Sequence, residues 1–298
     1  MDIDGAVTVI TGGGSGIGRA LALEMASGGA DVVIADLNEE GAEQTADEVR
    51  ALGRRALGIR VDVSKEAGIV ALVHRVEQEL GPIDIFVSNA GVLVGGPIEA
   101  ITDEDWRWIM DINFYAHVYA VRHVLPHMLR RDRGYLVHVA SAAALIATGT
   151  NIPYHVSKAA VLALAQGLAI DLEARGANVG VSCVCPEVVN TNLPERSFEA
   201  GQGGRALSKE EQAARAATVE AMKLRMAQRG LPAEEAARAI VAGIREDRFL
   251  IFTHERTHDI VVRRIQDPEQ GNADAVRVLR RELERMAEFQ ELAREKRA

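Results

Sequence analysis

The stretch AVTVITGGGSGIGRALALEMASGG, residues 6–29, decides the fold. Its first five residues, AVTVI, are apolar and rich in β-branched side chains, which favours a buried strand. The later RALALEMASGG has the pattern of a helix that ends at a glycine. The glycine-rich turn TGGGSGIG, residues 11–18, lies between them. Gly12, Gly16 and Gly18 let the backbone pass close to a pyrophosphate at the helix N-terminus, so the stretch predicts a nucleotide-binding turn.

The same alternation of strand and helix continues along the chain. Five more apolar segments predict strands that follow the first: DVVIAD (31–36), RALGIRVDV (55–63), IDIFVSNAG (83–91), YLVHVA (135–140) and NVGVSCVCPE (178–187). Repeated β-α units predict an α/β fold, a doubly wound, Rossmann-like parallel sheet with helices on both faces. We find no internal repeat and no clear linker. We therefore predict a single domain over 1–255, with a substrate flap at about 192–230 and a helical C-terminal extension over 256–298.

Small and polar residues stand where the predicted strands end, and ligands of such sheets bind there. Asp36 lies about 20 residues beyond the glycine turn, where an acid can bind a ribose hydroxyl. The alternative is that Asp36 is a solvent-exposed aspartate at the start of a loop. The ends of the third and fourth strands supply further candidates, for the adenine ring and for the rest of a cofactor: Asp62, Val63, Asn89, Ala90 and Gly91.

The second informative stretch is HVASAAALIATGTNIPYHVSK, residues 138–158. Tyr154 and Lys158 are four residues apart, so they share one face of a helix. Pro153 suits the first turn of that helix. A loop after the fifth strand can fold Ser141 back towards Tyr154. A nearby ammonium group lowers the pKa of a phenol, so Lys158 could prepare Tyr154 for proton exchange with a substrate oxygen. The alternative is an ordinary amphipathic helix with a surface lysine.

Composition limits the classes of partner. The 298 residues are 48% hydrophobic and 26% charged, as in a soluble globular protein. The formal net charge of −9 argues against nucleic acid and anionic membranes as partners. No apolar run reaches the length that spans a bilayer, and the N-terminus lacks the pattern of a secretory signal, which predicts a cytoplasmic protein.

Cysteine and histidine give no indication of a metal site. Cys183 and Cys185 alternate on a predicted strand and lack the spacing of a metal or redox motif, so we interpret them as buried apolar residues. The histidine pairs at helical spacing, His123 with His127 and His254 with His258, lack the glutamate of a zinc protease motif. We predict no metal.

Together these motifs resemble the short-chain dehydrogenase/reductase family over about residues 5–255. The elements that match are T-G-x-x-x-G-x-G at 11–18, S-N-A-G at 88–91, Asn113, Ser141, and Y-x-x-x-K at Tyr154 and Lys158. Their order and spacing together are specific. The resemblance implies a catalytic tetrad of Asn113, Ser141, Tyr154 and Lys158. In it Tyr154 is the acid/base, Lys158 lowers its pKa and holds the nicotinamide ribose, Ser141 positions the substrate oxygen, and Asn113 supports a water chain to Lys158.

The resemblance also implies further contacts to a nicotinamide cofactor, with Thr191 at the carboxamide. The cofactor-binding residues expected on this basis are Gly12, Ser15, Gly16, Ile17, Gly18, Asp36, Asp62, Val63, Asn89, Ala90, Gly91, Tyr154, Lys158, Pro186, Val188 and Thr191. Glu187 departs from the glycine that usually follows the proline in this family. Its carboxylate could bind a polar or cationic substrate group, or point to solvent.

Asp36 decides the choice of cofactor. A carboxylate there accepts hydrogen bonds from the ribose of NAD and repels the 2′-phosphate of NADP, and neither Leu37 nor Asn38 supplies a cation. Ser15 stands where NADP-preferring relatives often carry a basic residue, and Arg19 is expected to point elsewhere. We therefore predict NAD.

These features predict an NAD-dependent oxidoreductase acting on a secondary alcohol or ketone. Apolar candidates around the site, Leu93, Val94, Leu145 and Ile146, suggest a bulky, partly hydrophobic substrate. Two alternatives remain open, an epimerase or dehydratase with tightly held NAD and a non-catalytic nucleotide sensor. We also predict two long helices with many apolar residues, over 103–131 and 154–175. These helices and the resemblance together predict a homodimer or homotetramer.

Overall fold

Strands and helices alternate along the chain in the computed structural model, which describes residues 1–147, 149, 151–199, 209–267, 269–270 and 276–277. The strands are β1 (Val7–Thr11), β2 (Asp31–Asp36), β3 (Ala56–Arg60), β4 (Ile85–Ser88), β5 (Gly134–Val139), β6 (Val179–Cys185) and β7 (Leu250–Phe252). The helices are α1 (Gly16–Ser27), α2 (Glu39–Ala51), α3 (Glu66–Glu79), α4 (Asp103–Met110), α5 (Ala116–Arg131), α6 (Ile152–Ala174), α7 (Leu193–Glu199), α8 (Lys209–Arg229), α9 (Ala233–Arg245) and α10 (Glu255–Gln266).

The seven strands form one parallel sheet in the order β3-β2-β1-β4-β5-β6-β7. The direction of winding reverses between β1 and β4. A crevice for ligands opens beyond the carboxyl ends of the strands at such a reversal. The prediction of a doubly wound, Rossmann-like sheet is confirmed.

Helices cover both faces of the sheet. Val9 and Ile10 are neighbours on β1, yet they belong to different apolar layers because side chains alternate along a strand. One layer includes Leu21 of α1 and Ile240 of α9, and the other includes Leu72 of α3. Each fully buried aliphatic side chain of this kind contributes about 1.5–3 kcal/mol. This two-sided core holds the strand ends, and the loops that follow them, in fixed positions.

Several predicted elements have different bounds in the structure. The fourth strand ends at Ser88 and the sixth at Cys185, so Asn89, Ala90 and Gly91 follow the fourth strand, and Pro186 and Glu187 follow the sixth. The third strand ends at Arg60, so Asp62 and Val63 lie in the loop that follows it. The helix predicted over 103–131 is divided by a π-helical turn at Asp111–Tyr115. Such a turn admits one extra residue and often marks a functional site. Asn113 lies within it.

Helix α6 corrects the expectation that no apolar segment is long enough to span a bilayer. Its 23 residues meet that criterion by length and composition, and it is the one helix that does so among the described residues. Its inner face supplies Val161, Ala165 and Leu172 to the core, whereas Val156 and Ile170 are exposed. Core helices of soluble proteins pass the same test, so the segment is weak evidence for a membrane.

The predicted flap and tail are described only in part. Of the flap, α7 and α8 are described, and residues 200–208 lie outside the described residues. Of the predicted extension, α10 is described. Residues 271–275 and 278–298 lie outside the described residues, so the prediction of a helical tail stays open there.

Candidate active site

A cavity of about 1490 Å³ opens at the carboxyl ends of the strands. Among the residues predicted for catalysis and cofactor binding, all but Asn113 line it: Gly12, Ser15, Gly16, Ile17, Gly18, Asp36, Asp62, Val63, Asn89, Ala90, Gly91, Ser141, Tyr154, Lys158, Pro186, Val188 and Thr191. Asn113 is fully buried behind the wall. The fold thus brings together residues that lie up to 179 positions apart, from Gly12 to Thr191.

The glycine turn leaves room that side chains would fill. Gly12 has a φ of +64°, and a Cβ there would meet the Ala90 Cα at 2.9 Å. A Cβ on Gly18 would lie 2.1 Å from the Gly12 carbonyl oxygen. Ser15 precedes the first turn of α1, so backbone N–H groups and the positive end of the helix dipole face the cavity. This cradle fits the pyrophosphate of a dinucleotide.

Asp36 is held in place by backbone groups. Its Oδ2 accepts a hydrogen bond from the Gly14 N–H, and its Oδ1 accepts one from the Asn38 N–H, both at 2.9 Å. The carboxylate lines the cavity beside the glycine turn, where an adenosine ribose fits. Arg19 points elsewhere, as expected, because it pairs with Glu48.

Sequence reasoning missed one cation at this end of the cavity. Lys65 lies in the loop before α3 and lines the cavity together with Asp62. The Asp62 carboxylate accepts hydrogen bonds from the Ser64 N–H at 3.0 Å and the Ser64 hydroxyl at 2.7 Å. No spacing rule singles out Lys65, because its approach to the cavity depends on the path of the loop.

Asn113 fixes the loop after β4. Its Oδ1 accepts a hydrogen bond from the Val92 N–H at 2.8 Å, and its Nδ2 donates to the Val92 carbonyl at 2.9 Å. The same Nδ2 donates to the Ser157 hydroxyl on α6 at 3.1 Å. A Cβ added to Gly91 would lie 3.4 Å from both Asn113 Oδ1 and Lys158 Nζ. Asn113 therefore ties the π-helical turn, the loop and α6 together beside Lys158.

Ser141, Tyr154 and Lys158 meet at the cavity wall. The Ser141 hydroxyl lies close enough to the Tyr154 hydroxyl to lower the pKa of the phenol. The Ser141 Oγ also donates to the Pro186 carbonyl at 3.3 Å and accepts from the Ala143 N–H at 3.1 Å. Lys158 Nζ donates to the Val139 carbonyl at 2.9 Å and lies 5.8 Å from the centre of the Tyr154 ring. Ser141, Tyr154 and Lys158 are thus adjacent, so they can act together on one substrate oxygen and its proton.

The pKa of Tyr154 differs from the expectation. Burial raises it, and the hydrogen bond from Ser141 opposes this in part. Burial also lowers the pKa of Lys158 to about 8. The depression of the tyrosine pKa expected from Lys158 is absent, because the ammonium group is turned to the Val139 carbonyl and the loss of solvent dominates.

Glu187 follows neither of the two predicted alternatives. Its Oε2 accepts hydrogen bonds from Arg256 Nε at 3.1 Å and Arg256 Nη2 at 2.8 Å, and its Oε1 accepts one from the Thr257 hydroxyl. Only 15% of the Glu187 side chain is exposed. We call this group of three residues the Glu187 clamp. It fastens the start of α10 to the loop after β6.

Much of the remaining cavity wall is apolar. Of the predicted apolar residues, Leu93 and Ile146 line the cavity, and Val94 and Leu145 do not. Sequence reasoning missed several further lining residues on α4, the π-helical turn, α7, α8 and α10: Trp108, Ile112, Leu193, Arg196, Met222, Met226, Ile260, Arg263 and Arg264. The spacing of Ile260, Arg263 and Arg264 indicates one helix face but gives no clue to what that face contacts.

Among the described residues, no group of three or more His, Cys, Asp or Glu side chains could hold a metal ion. Cys183 and Cys185 are buried, as expected for apolar positions.

Comparison with known proteins places this geometry in a family. A family model described as short chain dehydrogenase matches residues 6–201. The mouse "17-beta-hydroxysteroid dehydrogenase 13" is 36% identical over 192 residues, which are 64% of this chain and 63% of the mouse enzyme. The match thus spans less than two thirds of that enzyme. The "(2S)-[(R)-hydroxy(phenyl)methyl]succinyl-CoA dehydrogenase subunit BbsD" of Thauera aromatica is 35% identical over 200 residues, 66% of this chain and 79% of that protein.

Solved structures agree. A short chain dehydrogenase/reductase from Burkholderia phymatum, solved in complex with NAD, has a TM-score of 0.82 and 33% identity. The alignment covers 91% of this chain and 96% of the other. Because the family model matches well over half of the residues, the chain belongs to the short-chain dehydrogenase/reductase family of oxidoreductases.

Proposed function

We propose that the protein transfers a hydride between NAD(H) and a secondary alcohol or ketone. The observation that carries this is the convergence of Ser141, Tyr154 and Lys158 on the cavity that also contains the glycine turn. The relatives described above are dehydrogenases by name, which supports action on CH–OH groups. The apolar lining favours a bulky, partly hydrophobic substrate, and a cytoplasmic homo-oligomer remains our proposal for location and assembly.

The residues divide the chemical work between them. When bound, the nicotinamide ring accepts or returns the hydride. Tyr154 exchanges a proton with the substrate oxygen, and Ser141 holds that oxygen with a second hydrogen bond. Lys158, with a pKa of about 8, is mostly protonated and so positively charged at neutral pH. Lys158 would hold the ribose of a bound cofactor, and its ammonium charge, turned from the Val139 carbonyl, would favour the phenolate of Tyr154.

We propose NAD as the preferred cofactor. The Asp36 carboxylate, oriented by two backbone N–H groups, accepts hydrogen bonds from ribose hydroxyl groups and repels a 2′-phosphate. Lys65 lies at the same end of the cavity and is the described cation that could offset this repulsion. The neighbour solved with NAD supports the choice. In cells where NAD is mostly oxidised, this preference favours oxidation of the alcohol.

The test of the proposal removes one hydroxyl group. Tyr154→Phe is expected to lower kcat/KM with NAD and a panel of secondary alcohols by about 10²–10⁴, because general acid–base catalysis is lost. Binding of NADH, measured by fluorescence titration, should change less than twofold. Tyr115→Phe is the matched control, since Tyr115 is exposed and does not line the cavity. Wild-type turnover by Tyr154→Phe, or no reaction of the wild type with any alcohol or ketone, would contradict the proposal.

A further inference from the structure

Helix α10 connects two loops that line the cavity. At its start, the Glu187 clamp fastens it to the loop after β6. Nearer its end, Arg264 Nη1 donates to the Ala147 carbonyl at 3.5 Å, and Ala147 lies in the loop that begins at Ser141. The rise from Thr257 to Arg264 is about 10 Å, at about 1.5 Å per residue. The helix therefore bridges this distance between the two loops.

The first of these anchors lies close to the catalytic serine. The Ser141 Oγ donates to the Pro186 carbonyl at 3.3 Å, and the Ala142 N–H donates to the same carbonyl at 2.8 Å. Glu187 directly follows Pro186 in the chain. The carboxylate that holds α10 is thus attached to the same short segment that holds the Ser141 hydroxyl.

The face of α10 between the two anchors carries apolar surface. Thr257, Ile260 and Arg264 follow one another at spacings of three and four residues, so they share one face of the helix. Thr257 is fully buried, whereas Ile260 lines the cavity and is 43% exposed. Apolar surface that lines a ligand cavity gains free energy when an apolar part of the ligand covers it. α10 therefore supplies an apolar wall to any ligand large enough to reach it.

The buried part of the clamp determines how firmly this wall is held. The Glu187 side chain is only 15% exposed, and its Oε1 accepts a hydrogen bond from the fully buried Thr257 hydroxyl. A hydrogen bond to a buried charged group is stronger than an exposed ion pair such as that of Arg256. Thr257 is not among the residues that line the cavity, so it can influence a ligand only through the position of α10.

Resting on the proposed function, we infer that Glu187 is a positioning residue that sets substrate specificity. It holds α10 as the apolar wall against the part of a bulky alcohol that lies away from Tyr154. The clamp therefore favours bulky secondary alcohols over small ones without touching the reacting atoms. A ligand that needs the wall in place binds more weakly by the fraction of molecules in which the wall is displaced.

The experiment compares secondary alcohols of increasing size: isopropanol, menthol and estradiol. In Glu187→Ala, KM for menthol or estradiol should rise about tenfold while kcat stays within about twofold, because binding is lost and the chemistry is not. Thr257→Val and Ile260→Ala should raise the same KM by about threefold or more. The readout is kcat/KM for the bulky alcohol divided by kcat/KM for isopropanol, which all three variants should lower. Asp84→Ala is the matched control, since Asp84 is 13% exposed, pairs with Arg131 and precedes β4 at the opposite end of the strands.

Thr257→Val distinguishes positioning from direct contact with the substrate. It leaves the Glu187 side chain in place and removes the hydroxyl that ties α10 to it. A loss of preference in Glu187→Ala that neither Thr257→Val nor Ile260→Ala shares would mean that Glu187 itself contacts the substrate, and would overturn the inference. These two variants also decide the question if Glu187→Ala fails to fold.

Binding measurements separate this inference from the proposed function. Titration calorimetry of menthol and estradiol into the NADH complex should show weaker binding in the three variants, by about the factor seen in KM. Weaker binding by the variants, with no turnover by wild type, would leave the inference standing and contradict the proposed function. Turnover by wild type with an unchanged preference in all three variants would overturn the inference alone. It is also overturned if wild type binds neither bulky alcohol, or if the variants weaken NADH binding as much as alcohol binding, because α10 would then serve the cofactor.

Discussion

The Glu187 clamp allows a direct test of how strongly the start of α10 is held against the loop after β6. Glu187→Ala removes the acceptor of the buried Thr257 hydroxyl and the partner of Arg256. A hydrogen bond to a buried charged group contributes about 1.5–3 kcal/mol. The Arg256 side chain is 70% exposed, so its ion pair contributes only about 0.2–1 kcal/mol. Together these contacts hold the start of α10 by about 2–4 kcal/mol.

Hydrogen exchange at the backbone amides of α10 measures this free energy directly at the helix that the clamp holds. In Glu187→Ala, the amides of α10 (Glu255–Gln266) should lose protection by roughly 30-fold to several hundred-fold, because local opening becomes easier by that free energy. Glu187→Gln keeps an acceptor for Thr257 and should cost about 1 kcal/mol. Arg256→Gln should resemble Glu187→Gln. Protection of α6 should stay constant in all three variants.

Two results would refute this reasoning. Exchange in Glu187→Ala within twofold of wild type would mean that α10 is held by other contacts. A loss in Arg256→Gln as large as that in Glu187→Ala would mean that the exposed ion pair, and not the buried hydroxyl, dominates.

Three further predictions use other parts of the protein. Wild type should have a higher kcat/KM with NAD than with NADP, and Asp36→Ala should reduce that preference by at least about tenfold. Equal or better use of NADP by wild type would contradict the role given to Asp36. Burial lowers the pKa of His138 to about 4 and the pKa of its neighbour His117 well below 6.5. As pH falls, the unfolded state therefore binds protons before the folded state does. The protein should lose stability between about pH 6.5 and 4. His138 alone contributes about 3 kcal/mol to this loss, and urea denaturation of His138→Asn should show a correspondingly smaller decrease in that pH range. Sedimentation should find a dimer or tetramer, and Ile170→Glu, which charges the exposed apolar face of α6, should shift it towards monomer; a wild-type monomer at micromolar concentration would contradict the proposed assembly.

The part of the cavity that the glycine turn and Asp36 line was predictable because its signals are local. Gly12, Gly16 and Gly18 occur within seven consecutive residues, and Asp36 ends the next strand. Parallel strands then bring their ends to one edge, whatever the details of packing. Tyr154 and Lys158 were accessible for the same reason, since helical spacing alone puts them on one face.

The junction between α10 and the loop after β6 was not predictable, because it is built from contacts between distant parts of the chain. Glu187 and Arg256 are 69 residues apart, and no sequence pattern in either segment indicates that they are in contact. The pKa of Tyr154 was misjudged because spacing gives the distance to Lys158 but not the loss of solvent around both groups. Burial is a property of the assembled cavity.

The π-helical turn at Asp111–Tyr115 limits which sequence changes the adjoining part of the cavity wall tolerates. One extra residue within a helix changes the phase of everything after it by about 100°. Deleting one residue from the turn would restore regular α-helical hydrogen bonding from α4 into α5, and Asn113 would then rotate away from Val92 and Ser157. A variant with this deletion would have a more regular helix, and it would lose the Asn113 hydrogen bonds that fix the loop after β4. Insertions and deletions in this helix are therefore constrained by phase, and side-chain substitutions at Trp108 and Ile112 are the freer route by which the cavity can change shape.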